Sequence, residues 1–326
     1  MSEQKQNNQS SGGFRTSIGG QALIEGIYMR GPDKQSIVVR DQNGELVVKT
    51  EELKLTKEHY PILGIPFIRG AFAFLGTMVE GVKALMYSAD FYPDEDEHSE
   101  PSKFEQWLEA HVPSKTLDKL IVAFATIVAV AFSVGLFFLL PTVVTSLIKL
   151  AVPMNVLGQN VVEGIIRIAI FLAYLILISK MKDIRRVFQY HGAEHKTIFC
   201  YEHGLPLTVE NVRIQPRHHP RCGTSFLFVV IVVSILLSSV LFSFVEVTNT
   251  FARMGLHLLL LPVIVSLTYE LNRVVGRYDN RLTRLVSAPG MWLQNWTTFE
   301  PDDSMIEVGI RAFTLVLPEE KGKDQW

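Results

Sequence analysis

The chain has 326 residues, 48% of them apolar and 20% charged, with a formal net charge of −2. That balance and a mean hydropathy of +0.22 exclude a disordered chain and a histone-like basic protein, and no nucleic acid partner is expected. Two cysteines, Cys200 and Cys222, cannot build a disulfide framework.

Residues 1–17 are rich in Ser, Gln, Asn and Gly and read as a disordered tail. From Gly19 the sequence runs GGQALIEGIYMRGP. Glycines at 19, 20, 26 and 31 inside an apolar stretch predict a turn-rich segment whose backbone passes close to another group. SIVVR, DQNG and ELVVK follow, and Asn43-Gly44 between two β-branched runs predicts a β-hairpin over 36–49. Residues 61–87 are apolar but interrupted by Arg69, Glu80 and Lys83, too charged to span a bilayer. They read as an interfacial or re-entrant segment on the membrane surface, with soluble core as the alternative. The acidic stretch 94–100 reads as a solvated linker.

Four apolar runs then predict transmembrane helices. Residues 120–140 and 226–245 carry no charge, and each is long enough to cross a hydrocarbon core of about 30 Å. Residues 161–178 carry Glu163 and Arg167, which can pair at i, i+4. Residues 254–269 contain His257 and Pro262; His257 reads as a polar contact between helices. Glu270 reads as a partner for Arg273 or, alternatively, as a further ligand. Lys and Arg concentrate in 181–224 and again from Arg273 onward, while 141–160 and the segment after the third span hold one cation each, Lys149 and Arg253. The positive-inside rule places 181–224 and both termini in the cytoplasm.

The expected protein is therefore an α-helical multi-pass membrane protein of about four transmembrane helices with a small cytoplasmic α+β portion. Its organisation is a tail over 1–17, a cytoplasmic or interfacial region over 18–118, and spans 1 and 2 within 119–180. A cytoplasmic His/Cys loop over 181–224, spans 3 and 4 within 225–270 and a cytoplasmic C-terminal region over 271–326 complete it. The lipid bilayer is the expected partner, together with an unidentified substrate or protein. Near the C-terminus, MIEVGIRAFTLVL suits either a strand or an amphipathic helix.

Chemistry concentrates in 191–222, which holds five of the nine histidines and both cysteines. On a helix, His191, Glu194 and His195 share one face at i, i+3 and i+4. Two imidazoles one turn apart can chelate zinc, and an adjacent carboxylate can serve as a base; H-x-x-E-H is also the spacing of inverzincin peptidases. Some 22 residues on, His218, His219 and Cys222 add imidazole and thiolate donors. This donor set favours zinc over magnesium or calcium. Lys196, Arg217 and Arg221 suit an anionic substrate group. The competing reading makes the histidines caps or ion-pair partners at a membrane-surface helix and the cysteines small buried apolar residues.

The stretches GGQALIEGIYMRGP, YHGAEHKTIFCYEHGLPLTVENVR, HPRCGTSFL and LQNWTTFEP resemble the YqhQ-like family of bacterial membrane proteins, from about Gly19 to Ala312. That family is a domain of unknown function labelled a predicted metal-dependent enzyme. The resemblance points to His191, Glu194, His195, His219 and Cys222, with His218 just outside the HPRCG core. The expected activity is that of a metal-dependent, zinc hydrolase at the cytoplasmic face of the membrane, with Glu194 as catalytic base. The rival readings are a membrane-embedded regulator or scaffold with a structural metal, and a transporter.

Overall fold

The computed structural model describes residues 14–53, 65–92, 114–245, 247, 249–278, 280–320 and 322–325, without side chains for 114–119. The acidic linker at 94–100 and residues 1–13 of the expected tail lie outside the described residues. The described residues are mostly helical with a small antiparallel sheet. They divide into two units, one of residues 1–92, 176–229 and 266–326 and the other of 93–175 and 230–265.

The first unit is built on a four-stranded antiparallel meander: β1 (Gly19–Leu23), β2 (Gly26–Arg30), β3 (Lys34–Arg40) and β4 (Leu46–Glu52). The expected 36–49 hairpin is β3–β4. Its turn is closed by Asp41, whose carboxylate accepts from the Asn43 and Glu45 backbone N–H at 3.0 and 2.8 Å. Gly44 takes φ +85°, a conformation glycine adopts without a Cβ penalty. The glycine-rich opening is not turn-rich as expected; it forms β1 and β2, with Gly20 opposite Met29. Its glycines serve close approach more than turning.

β2 is buried along Gly26–Met29, whereas edge strand β4 is largely exposed. The sheet packs chiefly against two helices, α5 (Lys182–Glu202) and α10 (Asp303–Val316). Ile27, Met29, Val38, Tyr190, Ile306 and Phe313 form their common core. The C-terminal segment left open between strand and helix is helical. Asp302 caps it, accepting from the Met305 N–H at 3.0 Å. Phe14 to Ser17 do not extend the tail: Thr16 is buried, pairs with Gln325 and donates its N–H to Glu202 at 2.8 Å.

Helix α1 (Ile68–Ala89) covers most of the interrupted apolar run. Gly70 lets it approach Ser266 and Tyr269, and Arg69 pairs with Glu270 at 2.7 and 2.5 Å. Glu270 thus pairs directly with Arg69, and Arg273 adds a weaker electrostatic pull on it. After α5 come short α6 (Val209–Arg213) and then an irregular connector ending at Cys222. The expected loop over 181–224 is therefore mostly helix. Helix α9 (Arg281–Thr297) begins at an Asn280–Thr283 capping box.

Among the described residues, four helices are long and apolar enough to cross a membrane: Leu120–Ala151, Val156–Ile178, Gly223–Phe244 and Thr250–Arg277. The first comprises α2 (Ser114–Val134), a π-helical turn (Gly135–Leu139) and α3 (Leu140–Ala151). The others are α4 (Val156–Ile178), α7 (Gly223–Phe244) and α8 (Thr250–Arg277). The first was expected to end near 140, ahead of Pro141. Pro141 has no N–H to donate, yet it falls just after a π-helical turn, in the first turn of the segment that carries the helix on to Ala151. The last was expected over 254–269 and extends about two turns further.

Candidate metal centre

Helix α5 brings His191, Glu194 and His195 to one face, as their spacing demands. Glu194 and His195 are buried and His191 partly so. A Cβ on Gly192 would collide with the Phe299 carbonyl oxygen. Without it, the chain leaving α9 presses against α5, and the Thr297 carbonyl reaches His191 Nδ1 at 2.8 Å.

The second stretch is the 214–222 connector, which has no regular structure to hold it. Side chains from elsewhere in the unit pin it. Gln294 of α9 accepts from the His219 N–H at 2.7 Å and donates to the His219 carbonyl at 2.7 Å. Arg217 donates to the Thr298 carbonyl at 2.9 Å. Lys196 donates to the Arg213 carbonyl at 2.8 Å and pairs with Glu300. Thus pinned, the connector turns the Arg217 carbonyl onto His195 Nδ1 at 2.6 Å and sets Cys222 at the start of α7.

The consequence for the two rings is specific. A carbonyl only accepts, so Nδ1 of His191 and of His195 carries a proton, and Nε2 is the ring atom that can ligate when the imidazole is neutral. Metal-ligating histidines are commonly fixed by a hydrogen bond of this kind. His191 Nε2 lies 3.2 Å from Cys222 Sγ. One donor atom from each of His191, His195 and Cys222 lies within 4.8 Å of the other two. Ligands of one tetrahedral zinc, at bonds of about 2.0–2.3 Å, stand about 3.5 Å apart, so the group needs little adjustment to hold one ion.

Charge reinforces this donor set. Burial opposes ionisation of Cys222, but the imidazoles of His191 and His195 outweigh it and hold the thiol well below its ordinary range. Burial likewise pushes His191 down, and the neighbouring sulfur lifts it to about 9. The pair is thus poised as thiolate and imidazolium, and His191 must lose one proton before both can ligate. Burial raises the Glu194 carboxyl against the pull of the two histidines.

A cavity of about 290 Å³ is lined by all three donors, by Glu194 and by Arg221. Glu194 Oε1 accepts from the Gly20 N–H at 3.0 Å, and its Oε2 is buried without a partner. A Cβ on Gly20 would strike the Tyr28 carbonyl oxygen and come 3.3 Å from the Glu194 carboxyl carbon. The close approach expected of this glycine segment is made to its own sheet and to Glu194.

The other residues marked in the sequence are placed differently. His219 lines the same cavity but stands apart from the three donors: its ring centroid is 5.5 Å from that of His195 and its Nε2 is 3.7 Å from Glu202. Burial lowers its pKa to about 4, so it is neutral at pH 7. His218 also lies outside the three-donor group, with Nε2 buried and unpartnered. Arg221 pairs with Glu202 at the cavity wall, while Lys196 and Arg217 brace the connector. Cys200 belongs to the apolar core and His203 bonds Gln215 at 2.8 Å. Reasoning from donor spacing had no access to Gln294, or to the Thr297 and Arg217 carbonyls. Gln294 stands in the LQNW stretch, whose only signal was family resemblance.

The chain's architecture is that of a helical protein with four apolar, span-length helices and a His/His/Cys group beside a small sheet. Residues 65–319 match the model of a family described as "Protein of unknown function (DUF1385)". The chain is 33% identical over 317 residues to "Uncharacterized protein YqhQ" of Bacillus subtilis (strain 168), covering 95% of each chain. It belongs to this YqhQ-like family. No solved structure matches it.

Proposed function

We propose that the protein is a zinc-dependent hydrolase working at the cytoplasmic face of a membrane through which its four apolar helices pass. The observation that carries this reading is a three-donor group, His191, His195 and Cys222, lining a cavity together with a buried carboxylate. Catalytic zinc sites use three protein ligands and keep one position open, whereas structural sites are closed by four. One thiolate and two imidazoles suit zinc better than hard cations. When bound, zinc supplies a Lewis acid and acidifies water. Glu194 supplies the proton acceptor: its Oε2 is uncommitted, Gly20 holds its other oxygen, and burial raises its pKa toward the range useful to a general base. Arg221, at the cavity wall, is positioned to meet an anionic part of the substrate. The cationic flanks of the spans support the orientation.

The test is the zinc content of the purified full-length protein. The wild type should retain about one zinc per chain and His195→Ala close to none, since the substitution removes one of three protein ligands. Unchanged metal content in the variant overturns the assignment.

A second reading, a closed structural site in a regulator or scaffold, draws on the proximity of His219 to His195. Glu194→Gln separates the two. A catalytic site keeps its zinc but fails to complement a deletion strain, and a structural site keeps both.

A further inference from the structure

Helix α9 turns apolar side chains outward and polar ones inward. Its buried positions are mostly small or polar: Thr283, Ser287, Gly290, Leu293, Gln294 and Thr297. Its outer face carries Leu282, Leu285 and Trp292, which are 68%, 70% and 50% exposed. At about 100° per residue these three fall within about 80° of one another and form one stripe. Arg281, Arg284 and Asn295 run along one side of it. A helix facing water centres its outer face on polar residues instead.

The place of α9 within the first unit says what covers that stripe. The helix begins at Arg281, just after α8 ends at Arg277. Gly290 lies against the first turn of α7: a Cβ there would come 2.5 Å from the Cβ of Ser225. Gln294 also donates to the Ser225 hydroxyl at 3.1 Å. Val286 and Ser287 line a small space together with Leu271 and Val275 of α8. On both span-length helices this is the level at which the apolar run starts or stops. Gly223, Thr224 and Ser225 precede the uncharged run from Phe226, and Glu270, Asn272 and Arg273 follow the apolar run that ends at Tyr269. Two neighbours thus set α9 at the boundary between apolar and polar surroundings.

Charge agrees with that depth. Residues 271–297 carry Arg273, Arg277, Arg281 and Arg284 against one acidic residue, Asp279, and the four arginines are exposed. Tryptophan and arginine beside an apolar stripe are the groups that settle at the level of lipid headgroups, and a basic cluster there favours anionic lipid. We propose that the outer face of α9 docks in the plane of a bilayer containing anionic lipid. Leu282, Leu285 and Trp292 enter the headgroup–acyl boundary, and the arginines meet the headgroup phosphates. Docking rests on the reading that α7 and α8 cross a membrane and is independent of zinc. The inner face of the same helix carries Gln294, which pins the connector, so docking sets the candidate metal centre one helix away from lipid.

The test reconstitutes the full-length chain in phosphatidylcholine–phosphatidylglycerol vesicles, with Trp292 as sole tryptophan through Trp107→Phe, Trp296→Phe and Trp326→Phe. Lipids brominated on the upper part of the acyl chain should remove about half of the Trp292 emission, since an in-plane helix buries its apolar face near that depth. Lipids brominated lower down should remove less, and aqueous acrylamide little. At equal bromine content, brominated phosphatidylglycerol in plain phosphatidylcholine should quench more than brominated phosphatidylcholine in plain phosphatidylglycerol. Emission quenched by acrylamide and not by bromine gives the face to water. Emission shielded from both gives it to a second copy or another protein. Either result overturns the proposal, as does equal quenching by the two headgroups. Should the triple substitution fail to fold, the bromine-quenched emission lost between wild type and Trp292→Phe reads the same side chain. A chain that does not float with the vesicles overturns the spanning reading together with the docking; one that floats and fails the quenching overturns the docking alone.

Discussion

The candidate metal centre and the charged seam of the apolar helices each bury a glutamate beside a histidine, and they use the pair in opposite ways. At Glu194 one carboxylate oxygen is held by a backbone N–H and the other is uncommitted. The two neighbouring rings are fixed at Nδ1 by carbonyls, so that Nε2 of each is the atom turned to a ligand. At Glu163 both oxygens are consumed by guanidinium and hydroxyl donors. The difference is one of surplus. The first region has an acceptor to spare, whereas in the second every carboxylate oxygen is engaged. Burial alone does not distinguish a reactive carboxylate from a bracing one, whereas counting donors against acceptors does.

The sharpest way to break this comparison is the same isosteric change at both sites. Glu163→Gln leaves two buried guanidinium groups without a counter-charge and should destabilise the protein by about 3–5 kcal/mol. Glu194→Gln can keep the bond from Gly20 and removes a charge that burial already disfavours. It should cost less than about 1 kcal/mol. Thermal melting of both variants with zinc removed checks the contrast; equal losses would erase it.

Proton linkage sharpens the cation side. In the metal-free protein His191 holds its proton up to about pH 9 and must release it to ligate. Zinc affinity should therefore rise about tenfold per pH unit between 7 and 9 from this one proton, and level off above. Zinc titration against a competing chelator measures it. The already depressed Cys222 thiol adds no comparable slope over that window.

A smaller effect tests the pinning of the connector. Gln294→Ala removes both bonds to the His219 backbone and leaves buried polar groups unpaired, at a cost of about 1–3 kcal/mol. Because the connector carries Cys222 and the carbonyl that orients His195, zinc affinity should fall about 10–100-fold, the range seen when residues supporting a metal's ligands are removed. A variant with unchanged affinity would mean that α5 and Cys222 hold their geometry without α9.

The amino-acid sequence by itself determined the local features. Uncharged runs specify span-length helices because a helix that long and apolar has few other stable settings. Asn43-Gly44 specifies the β3–β4 turn, and the HGAEH spacing places two histidines and a glutamate on one helical face. It also marked His191, His195 and Cys222 among seven candidate donors without separating them from His218 and His219. That separation came from tertiary structure, since donors 27–31 residues apart meet only if the connector is pinned, and the pins are Gln294, Arg217 and the chain after α9. Periodicity likewise left the helix over Asp303–Val316 open, and it is the sheet packed against its apolar face that completes it. Nor did composition reveal that Glu163 serves Arg253 and His257 as well as Arg167, because charges on separate helices become neighbours only on packing. Local spacing is written in covalent geometry; which donors converge is decided by long-range contacts.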